Sequence, residues 1–156
     1  MKTLLLLRHA KTEPDSASGR DFDRELTERG RAESIRLGEE LRKDGIDPGL
    51  IVCSPARRAV ETIAAVGLSA LFEPRIYNAS TGELLDLIRN TDDSVGSLLL
   101  VGHNPGFERL ASQLIAGHID MPTATLLEIE LPVDRWSKVG EGDGRLVSSI
   151  RAKKLG

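Results

Sequence analysis

Thr3-Leu4-Leu5-Leu6-Leu7-Arg8-His9-Ala10 is a short apolar run that ends abruptly in an arginine and a histidine. A run this short, with no polar alternation, reads as a β-strand buried on both faces, the position of a central strand in a parallel sheet. A signal peptide needs an apolar region of about 7–15 residues and a membrane helix about 20, so neither is expected here. Ser97-Leu98-Leu99-Leu100-Val101 is a second run of the same kind and ends in Gly102-His103-Asn104-Pro105. Leu50-Ile51-Val52-Cys53 is a third, followed by Ser54-Pro55.

Helical patterns fill the spaces between these strands. Residues 11–25 are polar, with Pro14, Ser16, Ser18 and Gly19, and read as a loop. Thr27 then has the chemistry of a helix N-cap. Ala32, Ile35, Leu37 and Leu41 follow at roughly helical spacing until Lys43-Asp44-Gly45 ends the helix. Ser54-Pro55 is expected to start a second helix, because proline suits a first helical position. That helix runs through Ala59, Ile63 and Val66 to Gly67. Residues 71–76 form a weak extended segment, Thr81–Arg89 a third helix, and the residues after Pro105 a fourth, carrying Leu110, Leu114 and Ile115. Thr125–Leu131 alternates, with Leu127, Ile129 and Leu131 on one face and Glu128 and Glu130 on the other, so it reads as an antiparallel strand. Gly140–Gly144 is a turn and Arg145–Arg151 a last strand. The expected fold is a single-domain α/β/α sandwich over residues 1–156, with a mostly parallel mixed sheet.

Composition narrows the function. The 156 residues carry 21 Lys and Arg against 24 Asp and Glu, a net charge of −3, which argues against non-specific nucleic-acid binding. Aromatic residues make up 3%, too few for a base-stacking platform. One cysteine, Cys53, excludes an internal disulfide and a multi-thiolate zinc site. Three histidines leave little for a histidine-rich metal centre, so no cofactor or metal is expected. The free thiol and the absence of an export signal fit a cytoplasmic location and no membrane partner.

In open α/β folds, functional groups gather beyond the carboxyl ends of the strands. Three strand ends here deliver Arg8-His9, Ser54 with Arg57, and His103-Asn104. Histidine is a nucleophile and proton carrier near neutral pH. Arg57 is placed at the expected start of the second helix, where free N–H groups and a guanidinium fork together favour an anion. Its neighbour Arg58 is expected to be a solvated surface charge. His118 lies in no motif and Trp136 has the character of a packing residue.

These segments are recognisable. Arg8-His9-Ala10 resembles the RHG signature of the histidine phosphatase, or phosphoglycerate mutase-like, superfamily, with Ala10 in place of the more common glycine. Arg8-His9-Ala10-Lys11 is similar to the branch of small SixA-type phosphohistidine phosphatases. The likeness continues through Leu26-Thr27-Glu28-Arg29-Gly30, through Ser54-Pro55-Ala56-Arg57-Arg58-Ala59 with Thr62, and through Val101-Gly102-His103-Asn104-Pro105-Gly106. The resemblance implies a phosphatase in which His9 attacks phosphorus and forms a phosphohistidine. Arg8, Arg57 and His103 would hold the phosphoryl oxygens, with Asn104 and Thr12 as further contacts.

The resemblance also implies a carboxylic acid after the second helix in members that act on alcohol phosphates. Here that segment reads Tyr77-Asn78-Ala79-Ser80-Thr81-Gly82-Glu83, and an amide cannot donate that proton. Glu83 is the candidate donor, although an acid at a helix start also serves the dipole. Glu73, Asp15, Asp21 and Asp23 are further candidates, with Asp23-Arg24 expected to be a loop-ordering pair. A leaving imidazole needs less protonation than an alkoxide, so a site without a strong acid suits phosphohistidine, carried on a protein. The alternatives are a small-molecule phosphomonoesterase and a phosphate-binding regulatory module without turnover. A cysteine phosphatase is excluded, because the position six residues after Cys53 is Ala59 rather than arginine.

Overall fold

The computed structural model describes residues 1–155. Six strands form one sheet in the order β3-β2-β4-β1-β5-β6. They are β1 (Lys2–Arg8), β2 (Leu50–Cys53), β3 (Leu71–Phe72), β4 (Ser97–Gly102), β5 (Thr125–Leu131) and β6 (Arg145–Arg151). The first four run parallel to one another, and β5 pairs antiparallel with β1 on one side and β6 on the other, so the sheet is mixed, as the alternation of Thr125–Leu131 anticipates. Four helices cover it: α1 (Glu28–Lys43), α2 (Arg57–Val66), α3 (Thr81–Arg89) and α4 (Gly106–Ile115). Among the described residues no helix is long and apolar enough to cross a membrane.

The unbroken leucine run of β1 follows from its place. It pairs with β4 on one side and β5 on the other, and alternate side chains enter two different cores. Leu4 and Leu6 pack under α3 and α4 with Leu84, Ile88 and Leu110. Leu5 and Leu7 pack under α1 and α2 with Leu37, Ala59 and Ile63. Each buried leucine contributes roughly 1.5–3 kcal/mol, so neither face tolerates a polar residue. Trp136 is fully buried in the first core, and its indole N–H donates to the Val95 carbonyl at 2.8 Å. It is a packing residue, as its sequence context implies.

Local signals account for most helix ends. The Thr27 hydroxyl accepts from Gly30 N–H at 2.9 Å and caps α1. Gly67 ends α2 in the left-handed conformation at φ 91°. Ser54-Pro55 does not start α2, contrary to expectation: the helix begins at Arg57, and Ala56 caps it without a side-chain bond. Ser54 is diverted into the site described below. The weak extended segment 71–76 resolves into the two-residue edge strand β3 and a 3-10 turn at Pro74–Ile76.

Helices α1 and α2 meet at Gly38, where a Cβ would overlap the Val66 carbonyl oxygen. Gly38→Ala is therefore expected to force the helices apart, although alanine is the better helix former. The cost should be about 1–3 kcal/mol, as for other overpacked contacts. Chemical denaturation reads this directly, and an unchanged midpoint would show that the contact yields without strain.

Candidate active site

Strand register assembles the site. Arg8 lies level with Gly102, and Cys53 with Val101, across three adjacent strands. The residues that follow, His9, His103 and Ser54, therefore emerge together from one sheet edge. Backbone bonds continue the ladder past the strands: His9 N–H donates to the Gly102 carbonyl at 3.1 Å, and Ser54 N–H to the Val101 carbonyl at 2.9 Å. The rings of His9 and His103 lie 5.2 Å apart, and both residues are buried.

Hydrogen bonding fixes the state of His9. Its Nδ1 is 2.8 Å from the Ala10 carbonyl oxygen, which can only accept. Nδ1 therefore carries a proton, and the neutral ring presents its lone pair at Nε2. The backbone that holds this pose is itself anchored, because Ala10 N–H donates to the Thr62 hydroxyl at 3.0 Å. His103 is held differently. Its Nε2 is 2.7 Å from the Ser54 hydroxyl, which also accepts from Ala56 N–H, while its buried Nδ1 has no protein partner.

Burial keeps both rings neutral. It lowers His9 from the usual 6.5 to about 4, and the charges of Arg58 and Arg8 act in the same direction. His103 falls to about 3 through burial, its neighbour His9 and Arg58. Nitrogen NMR of the imidazoles should accordingly show His9 neutral at pH 5.5, with its proton on Nδ1. Titration of His9 near 6.5 would contradict that geometry. The same shifts predict that stability falls as pH drops from about 6.5 towards about 4, because the unfolded chain takes up these protons first.

The arginines exchange the places expected of them. Arg57 is half exposed and turned outward, paired with Glu25 at 2.7 Å and Glu61 at 3.0 Å. Arg58 is the buried one, at 5% exposure, with its guanidinium 5.8 Å from the Tyr77 ring. Helical periodicity gives the reason. Arg58 shares its face with Ala59, Thr62, Ile63 and Val66, the buried residues of α2. Arg57 and Glu61 form an i,i+4 pair on the opposite face. The same spacing could have identified Arg58 from sequence, and the expectations for Arg57 and Arg58 are both corrected. Arg8 donates from Nη1 to the Met121 carbonyl at 2.9 Å, while its buried Nε has no partner. The Nε of Arg58 is likewise buried and unpartnered.

The two further contacts are otherwise engaged. The Asn104 amide donates to the Met121 carbonyl at 2.9 Å and to Glu108, and its oxygen accepts from Glu108 N–H, so it ties down the start of α4. Thr12 accepts from Arg24 at 2.9 Å, which orders the loop instead of facing the histidines.

No candidate acid is poised to give up a proton. Glu83 completes a capping box with Ser80 at the start of α3, and its backbone bonds lower its pKa. Glu73 caps the following 3-10 turn and pairs with Arg75. Asp15 is exposed in its loop, and Asp23 accepts from Ser18. Arg24 pairs with Asp21 at 3.0 Å rather than with Asp23, which corrects the expected loop pair. Asp21 is the carboxylate that reaches the site. It accepts from Tyr77 at 2.8 Å and Arg58 at 3.1 Å, and these bonds hold it ionised at about 2. Tyr77 stands edge-on to both Phe22 and His103 and walls the cleft, a role with no motif to mark it. His118 is exposed and paired with Asp120, and Cys53 is buried, with its thiol pushed up to about 12.

A mixed α/β sandwich with two neutral histidines, and with Arg8 and Arg58, at the carboxyl edge of its parallel strands has a fold of the phosphoglycerate mutase-like class. The family model of the histidine phosphatase superfamily (branch 1) matches residues 4–94, and the chain belongs to that superfamily. A Mycobacterium tuberculosis protein is 37% identical over 108 residues, 67% of each chain. A SixA-type structure from Agrobacterium tumefaciens is 29% identical and superposes with a TM-score of 0.81, covering 96% of this chain and 97% of that one. The protein histidine phosphatase SixA complexed with tungstate gives a TM-score of 0.84 at 22% identity, covering 99% of both chains, which speaks for the fold alone.

Proposed function

We propose that this protein is a phosphohistidine phosphatase that works through a covalent intermediate on His9. The observation that carries the reading is the fixed tautomer of His9, whose Nδ1 proton is held by Ala10 and whose Nε2 lone pair is left for phosphorus. In the first step a bond forms between Nε2 and phosphorus, and the bond from phosphorus to the substrate's nitrogen breaks. The departing imidazole leaves as a neutral ring: its nitrogen keeps the electron pair of the broken bond, and the ring's other nitrogen already carries a proton taken up from solvent. In the second step water attacks the phosphoryl group, releases inorganic phosphate and returns His9.

The phosphoryl oxygens, where charge gathers, face Arg8, Arg58 and His103. A Ser54 hydroxyl that donates to Nε2 of His103 leaves the proton on Nδ1, so the neutral ring becomes a donor to the anion. Phosphohistidine is favoured over alkyl phosphates because Asp21 is held ionised and Glu83 is occupied as a cap. Neither then supplies the proton that an alkoxide needs. A neutral imidazole nucleophile requires no metal to activate it.

The test compares kcat/KM for a phosphohistidine protein, an aryl phosphate and a sugar phosphate under one set of conditions. Phosphohistidine is expected to lead, the aryl phosphate to follow and the sugar phosphate to be slowest. Glu83→Gln, Cys53→Ser and chelator should each leave phosphohistidine turnover within about twofold, as expected for surface or uninvolved groups. If the sugar phosphate leads and Glu83→Gln abolishes its turnover, the protein is instead a small-molecule phosphomonoesterase.

A further inference from the structure

Beside His103 lies a hollow of about 270 Å³. Its walls are Asn78, Ala79 and Ser80 from one loop, His103, Asn104 and Pro105 from another, and Gly106 and Arg109 from the first turn of α4. The two walls are locked together. A Cβ on Gly106 would lie 2.6 Å from the Ala79 carbonyl oxygen, so only glycine permits this approach. Asn78 adopts a left-handed φ of 59°, which turns the chain around the rim.

Arg109 gives the hollow its chemistry. The carboxylates near it are already committed. Glu108 accepts from Asn104 and from Met121 N–H, Glu83 from Ser80 N–H, and Asp86 faces Arg75 at 3.6 Å. None of the ion pairs among the described residues uses Arg109, although Arg24, Arg57, Arg58 and Arg75 each have a carboxylate partner and Arg8 a carbonyl one. Arg109 is exposed at the edge of the hollow, and an arginine without an ion-pair partner there offers a fork of donors to a carboxylate. The mechanism has no use for it, because Arg8 and Arg58 attend the phosphoryl group.

We propose that this hollow is the subsite for the leaving group and that Arg109 selects substrates bearing a second anionic group, a carboxylate, next to the phosphoryl group. On a protein substrate that group is an aspartate or glutamate flanking the phosphorylated residue. The proposal rests on the reading of His9 and His103 as the phosphoryl site, and it adds a specificity residue to it.

The test separates binding from turnover. Dissociation constants are measured calorimetrically for phenylphosphonate and 4-carboxyphenylphosphonate, which cannot be hydrolysed. The wild type should bind the carboxylated ligand about fivefold tighter, the effect of one partly exposed ion pair. Arg109→Ala should abolish that preference while leaving phenylphosphonate unchanged, and Arg109→Glu should invert it. A wild type without the preference, an Arg109→Ala variant that keeps it, or failure of both ligands to bind would each overturn the subsite. Turnover of phenyl phosphate and of 4-carboxyphenyl phosphate is measured alongside. If neither of these nor a phosphohistidine protein is hydrolysed but the binding preference follows Arg109, the phosphatase reading fails while the subsite stands.

Discussion

His9→Ala is expected to lower kcat by at least about 10⁴-fold, the scale seen when a covalent catalyst loses its nucleophile. Rapid quenching of the wild type with labelled substrate should trap a phosphoryl group that is labile in acid and stable in base, as a P–N bond requires. The variant should trap none. The fold should survive, because the His9 ring makes one hydrogen bond, to a carbonyl next to it in the chain, and Ala10 remains anchored to Thr62. A variant that hydrolyses substrate at near wild-type rates would return His9 to a structural role and require a different nucleophile.

Arg58→Ala carries the second largest effect, on the order of 10²–10³ in kcat/KM, by analogy with the loss of an oxyanion donor. Arg57→Ala, one residue away, should change kcat/KM by less than about threefold, because it removes only exposed ion pairs. The contrast tests the orientation of α2 as a whole, since a rotation of one residue would exchange the two outcomes. Arg58 also holds the loop at Asp21, so Arg58→Lys serves as a control. It keeps a charge for Asp21 but loses the planar fork, and should recover stability more fully than activity.

Much of this was legible in the chain. Strands β1 and β4 carry continuous apolar runs because both faces are buried, and each run ends where apolar residues give way to Arg8-His9 or to Gly102-His103. Helices α1 and α3 are announced by Thr27 and by Ser80 with Glu83. The start of α2 was not legible, because Ser54 and Pro55 are good helix-initiating residues and only the third dimension shows Ser54 turned towards His103. Between the adjacent arginines, the spacing to Thr62, Ile63 and Val66 identifies Arg58 as the inner one, whereas proximity to the helix start does not. Asp21 and Tyr77 lie 56 residues apart, and no local pattern connects them. Asn104 and Thr12 carry residue types suited to an anion, but their side chains satisfy neighbouring backbone and side-chain groups first.

The central position of β1 has a consequence for the order in which the molecule comes apart. Strands at the rim, β3 and β6, can fray without touching the ladder in which β1 is flanked by β4 and β5. The amide of His9 extends that ladder through its bond to Gly102. Its exchange with solvent deuterium therefore belongs with the slowest class, which opens only in global unfolding. The proposed nucleophile stands on the last part of the protein to yield, so partial openings at the rim are expected to leave the proposed chemistry intact, and thermal inactivation is expected to track the cooperative loss of the whole fold.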